Sequence, residues 1–267
     1  MDAGVVALVL AAAVLHAAWN VHLHGAEDRV AAMAMSGLVS AVALAPFLLV
    51  DPPSGLWVLV AVSGLAQAAY GLALANAYRR GQLSVTYPVG RGTAPLLAAV
   101  GAAAFVDQPL TPATVAGAVL VAVGLVLVAF RSHREGTLVA TGLAVLVGIA
   151  IATYSVVDAR AVREGAMPLA YLACTLGIEG IVMSATFGLD RPRMRAALRP
   201  GAAIALGSVA AYALILVAFE RAPVGRVATL REVSVVIAIR MARERPGAIG
   251  WAGIALVLAG AALAAGW

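Results

Sequence analysis

The feature that most constrains this chain is a succession of apolar runs of about twenty residues, each long enough to cross a ~30 Å hydrocarbon core as a helix. They fall at residues 3–20, 30–50, 56–74, 84–106 and 112–130, then at 137–157, 167–189, 201–219, a shorter 227–239, and 247–266. Turn chemistry or charge separates them, as in Asp51-Pro52-Pro53-Ser54-Gly55 and at residues 131–136 and 190–200. Backbone inside lipid must satisfy its own hydrogen bonds, so runs of this length without strand-like alternation demand helices. The predicted fold class is all-α, a polytopic bundle of about ten transmembrane helices in the cell membrane, with the lipid bilayer as its surroundings.

Composition excludes the main alternatives. Of 267 residues, 63% are hydrophobic and 12% charged, whereas a soluble domain carries roughly a quarter charged residues. The net charge of +5 does not predict a nucleic-acid partner, because no basic tract has the aromatic or helix-turn-helix setting that such recognition needs. All basic residues are Arg, and they stand between apolar runs as membrane-flanking charges do. The single Cys174 excludes an intramolecular disulfide and a Cys-rich metal site. No basic residue precedes the first run, so it is expected to be a span and not a cleaved signal peptide.

The second set of runs repeats the first. Ala77-Tyr78-Arg79-Arg80-Gly81 matches Ala218-Phe219-Glu220-Arg221-Ala222 at an offset of 141, and Trp19-Asn20-Val21 matches Tyr154-Ser155-Val156 at 135. Ala116-Gly117 with Gly124 matches Ala252-Gly253 with Gly260 at 136. Two units are therefore expected, residues 1–136 and 137–267. Five helices per unit is an odd number, so the second enters the membrane inverted. Inverted repeats place a substrate site near mid-membrane at the repeat interface. Loops after odd-numbered runs hold most of the arginines, among them Arg79, Arg80, Arg131, Arg134, Arg191 and Arg193. By the positive-inside rule these face the cytoplasm and both termini lie outside.

A few polar residues lie in the apolar runs. Arg91 sits between Gly90 and Gly92, with Pro88 before it. A lone Arg at the centre of a span costs roughly 2.5 to 3.5 kcal/mol, so it should face the bundle interior. The offset of 141 makes Glu232 its mate, and the two are expected to approach each other or share a polar cavity. The competing reading has Arg91 snorkelling while Glu232 pairs with Arg231 or Arg226. Glu179, in mid-run, is either a proton carrier or a hydrogen-bonded carboxyl on the lumen side. His16 is a second titrating candidate, with a helix-packing hydrogen bonder as the alternative. His22, His24, Glu27 and Asp28 lack metal-ligand spacing and suit a solvated loop. Trp19, Tyr87 and Tyr154 lie near run ends, where aromatic anchors collect. The glycine pairs 117/124 and 253/260 each share a helix face and suit close packing.

Three stretches together carry a resemblance: His16-Ala17-Ala18-Trp19-Asn20, Tyr87-Pro88-Val89-Gly90-Arg91-Gly92, and Ala222-Pro223-Val224-Gly225 through Leu230-Arg231-Glu232-Val233-Ser234. In this order and spacing the chain resembles the EamA-type family of the drug/metabolite transporter superfamily over nearly its whole length. The resemblance implies a cofactor-free secondary transporter, not an enzyme, that moves a small-molecule substrate such as an amino acid outward by alternating access. The motifs place Trp19, Asn20 and Tyr87 on the substrate pathway; the intramembrane charges and repeat offsets add Arg91, Glu232 and Tyr154, with Arg91 expected to anchor an anionic or carboxylate group and Glu179 and His16 available for proton coupling. No oligomeric state is implied. The ninth run departs from the pattern, with 15 residues at 225–239 against 23 at 84–106. A short, loosely packed ninth helix is expected, with Arg240 and Arg243 at the membrane surface. This shortening is the one support for an alternative, a degenerate, non-transporting membrane interaction protein. An intramembrane lipid-modifying enzyme is disfavoured, because no convergent His/Asp/Glu or Ser/His set exists.

Overall fold

The structure is a computed structural model that describes residues 1–79, 83–129, 138–241, 243 and 247–266, apart from the side chains of 77–79, 83–88, 138, 140 and 141. In chain order its helices are α1 (Ala3–His24), α2 (Arg29–Leu44) with a 3-10 continuation at Ala45–Leu49, α3 (Trp57–Arg79), α4 (Leu83–Phe105) and α5 (Pro112–Ala129). There follow α6 (Leu138–Arg163), α7 (Pro168–Thr186), α8 (Arg191–Arg221), α9 (Val224–Arg231), α10 (Val233–Met241) and α11 (Ala248–Ala265). Among the described residues, eight helical segments are long and apolar enough to cross a membrane, and α4 adds a shorter apolar stretch over Val89–Phe105. The chain is a multi-pass integral membrane protein. Large apolar side chains such as Val42, Leu49, Val58, Phe105 and Leu206 point outward, as a lipid-facing surface requires.

Helices run further than apolar runs, because a charge ends a hydrophobic stretch without ending a helix. α1 continues four residues past Asn20, which puts His22 and His24 in its last turn and not in a loop. α6 continues to Arg163 and carries Asp158 into the bundle. α8 begins at Arg191, inside the segment expected to be a break. The Asp190 side chain caps its first turn by accepting from the Arg193 amide, and the helix passes through Pro200 despite the missing N–H. The ninth span is two helices broken at Glu232. Of its second half, α10, only Ser234 is buried, and Arg240 and Arg243 are exposed.

The packing has an exchange pattern. α1 lies on α8 as α6 lies on α3, α2 on α8 as α7 on α3, and α4 on α6 as α9 and α10 on α1. Two further pairs, α5 with α11 and α2 with α7, map onto themselves under the same exchange. Both self-paired contacts are glycine seams. A Cβ on Gly124 would stand 2.6 Å from the Gly253 carbonyl, and one on Gly253 would stand 2.5 Å from that of Gly124. Gly117 and Gly260 are reciprocal in the same way, at 2.9 and 2.5 Å. Across the α2–α7 seam, a Cβ on Gly37 would meet the Leu176 carbonyl at 2.6 Å. Small residues thus let these helices touch backbone to backbone.

At one end of the bundle Asp28 joins α2 to α8. Its Oδ1 caps α2 at the Ala31 amide (3.0 Å), and its Oδ2 accepts from Nε and Nη2 of Arg193 at 3.0 and 2.8 Å. Burial works against its charge, but the Ala31 amide and the Arg193 guanidinium outweigh burial and hold the carboxyl below its ordinary value. A depressed carboxyl stabilises above its unfolded value and stops doing so as pH falls through its folded one. Both side chains are two-fifths exposed, so solvent screening leaves the pair about 0 to 1 kcal/mol. Asp28→Ala is expected to lower the melting temperature by a few degrees at neutral pH, and the difference should vanish in acid; melts of wild type and variant across pH measure this.

Candidate functional site: a central cavity beside a buried ion pair

Gly90 and Gly92 explain how a guanidinium enters this bundle. A side chain at Gly90 would collide with Val147 of α6, and one at Gly92 would stand 3.2 Å from Ala122 of α5. With no side chain at either position α4 fits between them, and Arg91 is buried to 2% exposure. Its Nε donates to Glu232 Oε2 at 2.8 Å and its Nη2 to Oε1 at 2.9 Å, the two-pronged geometry that suits a carboxylate. Nη2 also reaches Ser234 Oγ at 3.3 Å, and Nη1 lies 2.7 Å from His16 Nε2. An Arg can only donate, so Nε2 of His16 is the acceptor. The cluster ties α1 and α4 to the break between α9 and α10.

Beside it is a cavity of about 90 Å³. Trp19, Tyr70, Tyr154 and Tyr212 supply aromatic walls, with His16, Ser36, Gln67 and Ser208 among the polar groups. The rings meet edge to face: His16 with Trp19 at 4.9 Å, and Tyr154 with Tyr70 at 6.4 Å and with Tyr212 at 5.8 Å. Two charged side chains complete the lining, Arg231 and Glu179, at 4% and 8% exposure. No hydrogen bond or ion pair reaches either among the described residues, and Nε of Arg231 and Nε1 of Trp19 are buried without a partner. Buried polar atoms left unsatisfied are expensive, and a site built around them suits a polar ligand.

Behind the wall lies Asp158, fully buried. The Tyr171 hydroxyl donates to its Oδ1 at 2.8 Å and the Tyr212 hydroxyl to its Oδ2 at 2.5 Å. Ser63 lies beside it, its hydroxyl accepting from Gln67 Nε2 at 3.0 Å. Tyr212 and Gln67 both face the cavity.

The structure therefore brings Arg91 and Glu232 together and sets His16, Trp19, Tyr154 and Glu179 around the cavity. Arg91 and Glu232 are themselves outside its lining. Asn20 folds back on its own helix, Nδ2 donating to the His16 carbonyl at 2.9 Å. The Tyr87 side chain lies outside the described residues. Sequence reasoning missed Arg231, Asp158, Tyr70 and Tyr212. Arg231 was legible only as a candidate partner for Glu232, and Asp158 was hidden because the apolar run ends at Val157.

Residues 139–266 match the EamA-like transporter family. Over this stretch the chain is similar to EamA-like transporters. The stretch contains Tyr154, Asp158, Glu179, Tyr212, Arg231 and Glu232, so most of the polar chemistry just described lies within the matched residues. This match suggests a membrane transporter of the drug/metabolite type. A solved structure described only as "Crystal structure of protein" aligns with 99% of this chain and 97% of its own, at a TM-score of 0.77 and 17% identity. At that identity the likeness shows the fold alone. None of the curated proteins matches this sequence.

Proposed function

We propose that the protein is a secondary carrier, not an enzyme, that moves an amino acid or a related small solute outward by alternating access between residues 1–136 and 137–267. The observation that carries this reading is the cavity lined by one buried guanidinium and one buried carboxyl that no hydrogen bond or ion pair reaches among the described residues. Arg231 takes the solute carboxylate and replaces Arg91 in that role, because the donors of Arg91 are already occupied. Glu179 takes an ammonium group or carries a proton, and the rings of Trp19, Tyr70, Tyr154 and Tyr212 pack the solute body and favour a cation beside them. Arg91, Glu232 and His16 hold α1, α4 and α10 in register around the pathway, Asn20 fixes the end of α1, and Tyr87 belongs to the pathway on the resemblance alone. The exchange pattern of helix contacts supports two inverted units.

Proteoliposomes loaded with a panel of amino acids and simple carboxylates test the reading by counterflow of the radiolabelled compound. Wild type should exceed empty liposomes for at least one compound, and Arg231→Gln should weaken its apparent affinity roughly ten- to a hundredfold, as loss of a charged hydrogen bond of about 1.5 to 3 kcal/mol requires. Counterflow at the empty-liposome level for the whole panel would sink the carrier, and an unchanged affinity in Arg231→Gln would remove Arg231 from the site.

A further inference from the structure

Among the described residues the buried charged side chains are Arg91, Asp158, Glu179, Arg231 and Glu232. Arg91 and Glu232 cancel within their ion pair. One guanidinium, Arg231, and two carboxyls, Asp158 and Glu179, are left. An Arg cannot shed its proton, and an uncompensated charge in a low-dielectric interior is costly. Neutrality therefore requires one carboxyl ionised and the other protonated. Asp158 is the one that receives donors, the Tyr171 and Tyr212 hydroxyls both bonded to it, and Arg231 acts on it electrostatically. Glu179 receives no such bond. Asp158 is the counter-charge of Arg231, with the Tyr212 hydroxyl between it and the cavity.

We propose that Asp158 is a proton-binding site whose occupancy is set by what sits on Arg231. The proposal rests on the carrier reading only in taking a solute anion as the natural occupant. When that anion neutralises Arg231, Asp158 loses its counter-charge and takes up one proton. The proton passes through Tyr212: a hydronium in the cavity protonates the phenol oxygen while the phenol's own hydrogen transfers to Asp158 Oδ2. One O–H bond breaks at Tyr212 and one forms there, so Tyr212 is unchanged and the carboxylate has become a carboxylic acid. Solute anion and proton thus bind as a neutral pair. The charged or titratable groups acting on Asp158 are Tyr171 of α7, Tyr212 of α8 and Arg231 of α9, with Tyr154 on its own helix. α3 brings the neutral Ser63 and Gln67, and Arg91 of α4 is held by Glu232.

The test needs no solute. Infrared spectra of the protein in lipid at neutral pH, with and without a heavy-carbon label on aspartate carboxyls, separate protonated Asp from protonated Glu. Asp158 is the only buried aspartate among the described residues, so a label-sensitive carboxylic acid band reports it. Wild type should show a protonated Glu and no protonated Asp. Arg231→Gln, which removes the counter-charge as a bound anion would, should add a label-sensitive band, and Arg231→Lys should not. Asp158→Asn approaches from the other side: Glu179 must then balance Arg231, and the Glu band should disappear. That variant keeps the test decisive if Arg231→Gln fails to fold. A protonated Asp158 in wild type, no label-sensitive band in Arg231→Gln, or a Glu band that survives in Asp158→Asn would overturn the proposal. Because the spectra require no transport, they stand or fall apart from the counterflow result.

Discussion

Glu232→Ala is expected to destabilise the folded protein by about 3 to 5 kcal/mol, the loss typical when one partner of a buried ion pair is removed. The loss comes from Arg91, whose guanidinium would stay at 2% exposure without the carboxylate that neutralises it. Arg91→Ala should be comparably damaging, since Glu232 is buried to 1%. The double variant leaves no stranded charge and should melt above either single one. A double-mutant cycle from melts in detergent measures the coupling, and additive losses would contradict direct contact. Transport should fall in all three variants, because the pair ties α4 to the break between α9 and α10.

The second large effect is expected at the α5–α11 seam. Gly124→Leu puts a side chain where a Cβ alone would stand 2.6 Å from the Gly253 carbonyl and 2.8 Å from Val257. The nearest obstacle is backbone, which cannot rotate away as a side chain can. Separating the helices should cost at least the 1 to 3 kcal/mol usual for overpacking, and the variant should lose monodispersity in detergent on size exclusion. Gly142→Leu is the control. Its Cβ would meet nothing within 4 Å, and exchanging a helical glycine for leucine should gain a few tenths of a kcal/mol up to about 1. Equal behaviour of the two variants would show that the seam carries no packing load.

The Arg91–Glu232 contact was legible because internal repetition links positions far apart in sequence. An offset of 141 joins the two residues. The site cation was not legible for a local reason. Arg231 and Glu232 are neighbours in sequence, and hydropathy cannot say that a helix stops between them. That break sends Glu232 to Arg91 and leaves Arg231 facing the cavity. Asp158 and the first turns of α8 are not legible from hydropathy because polar residues end its apolar runs, although capping by Asp190 and the continued packing of α6 carry both helices through charge. The ninth run is short for another reason: it passes through Glu232 and is ended by Arg240, so the apolar count spans two helices and does not register the break between them.

The glycine seams also bear on how this protein responds to temperature. Soluble cores are held largely by expulsion of water, a force that fades on cooling. Lipid-embedded helices have no such force between them and rely on van der Waals contact. The α5–α11 and α2–α7 joints are therefore enthalpic, formed by backbone atoms in direct touch. Chilling should tighten them where it loosens a water-driven core, so cohesion between the two sides of the bundle is expected to carry a much smaller heat-capacity signature than an aqueous interface of equal area.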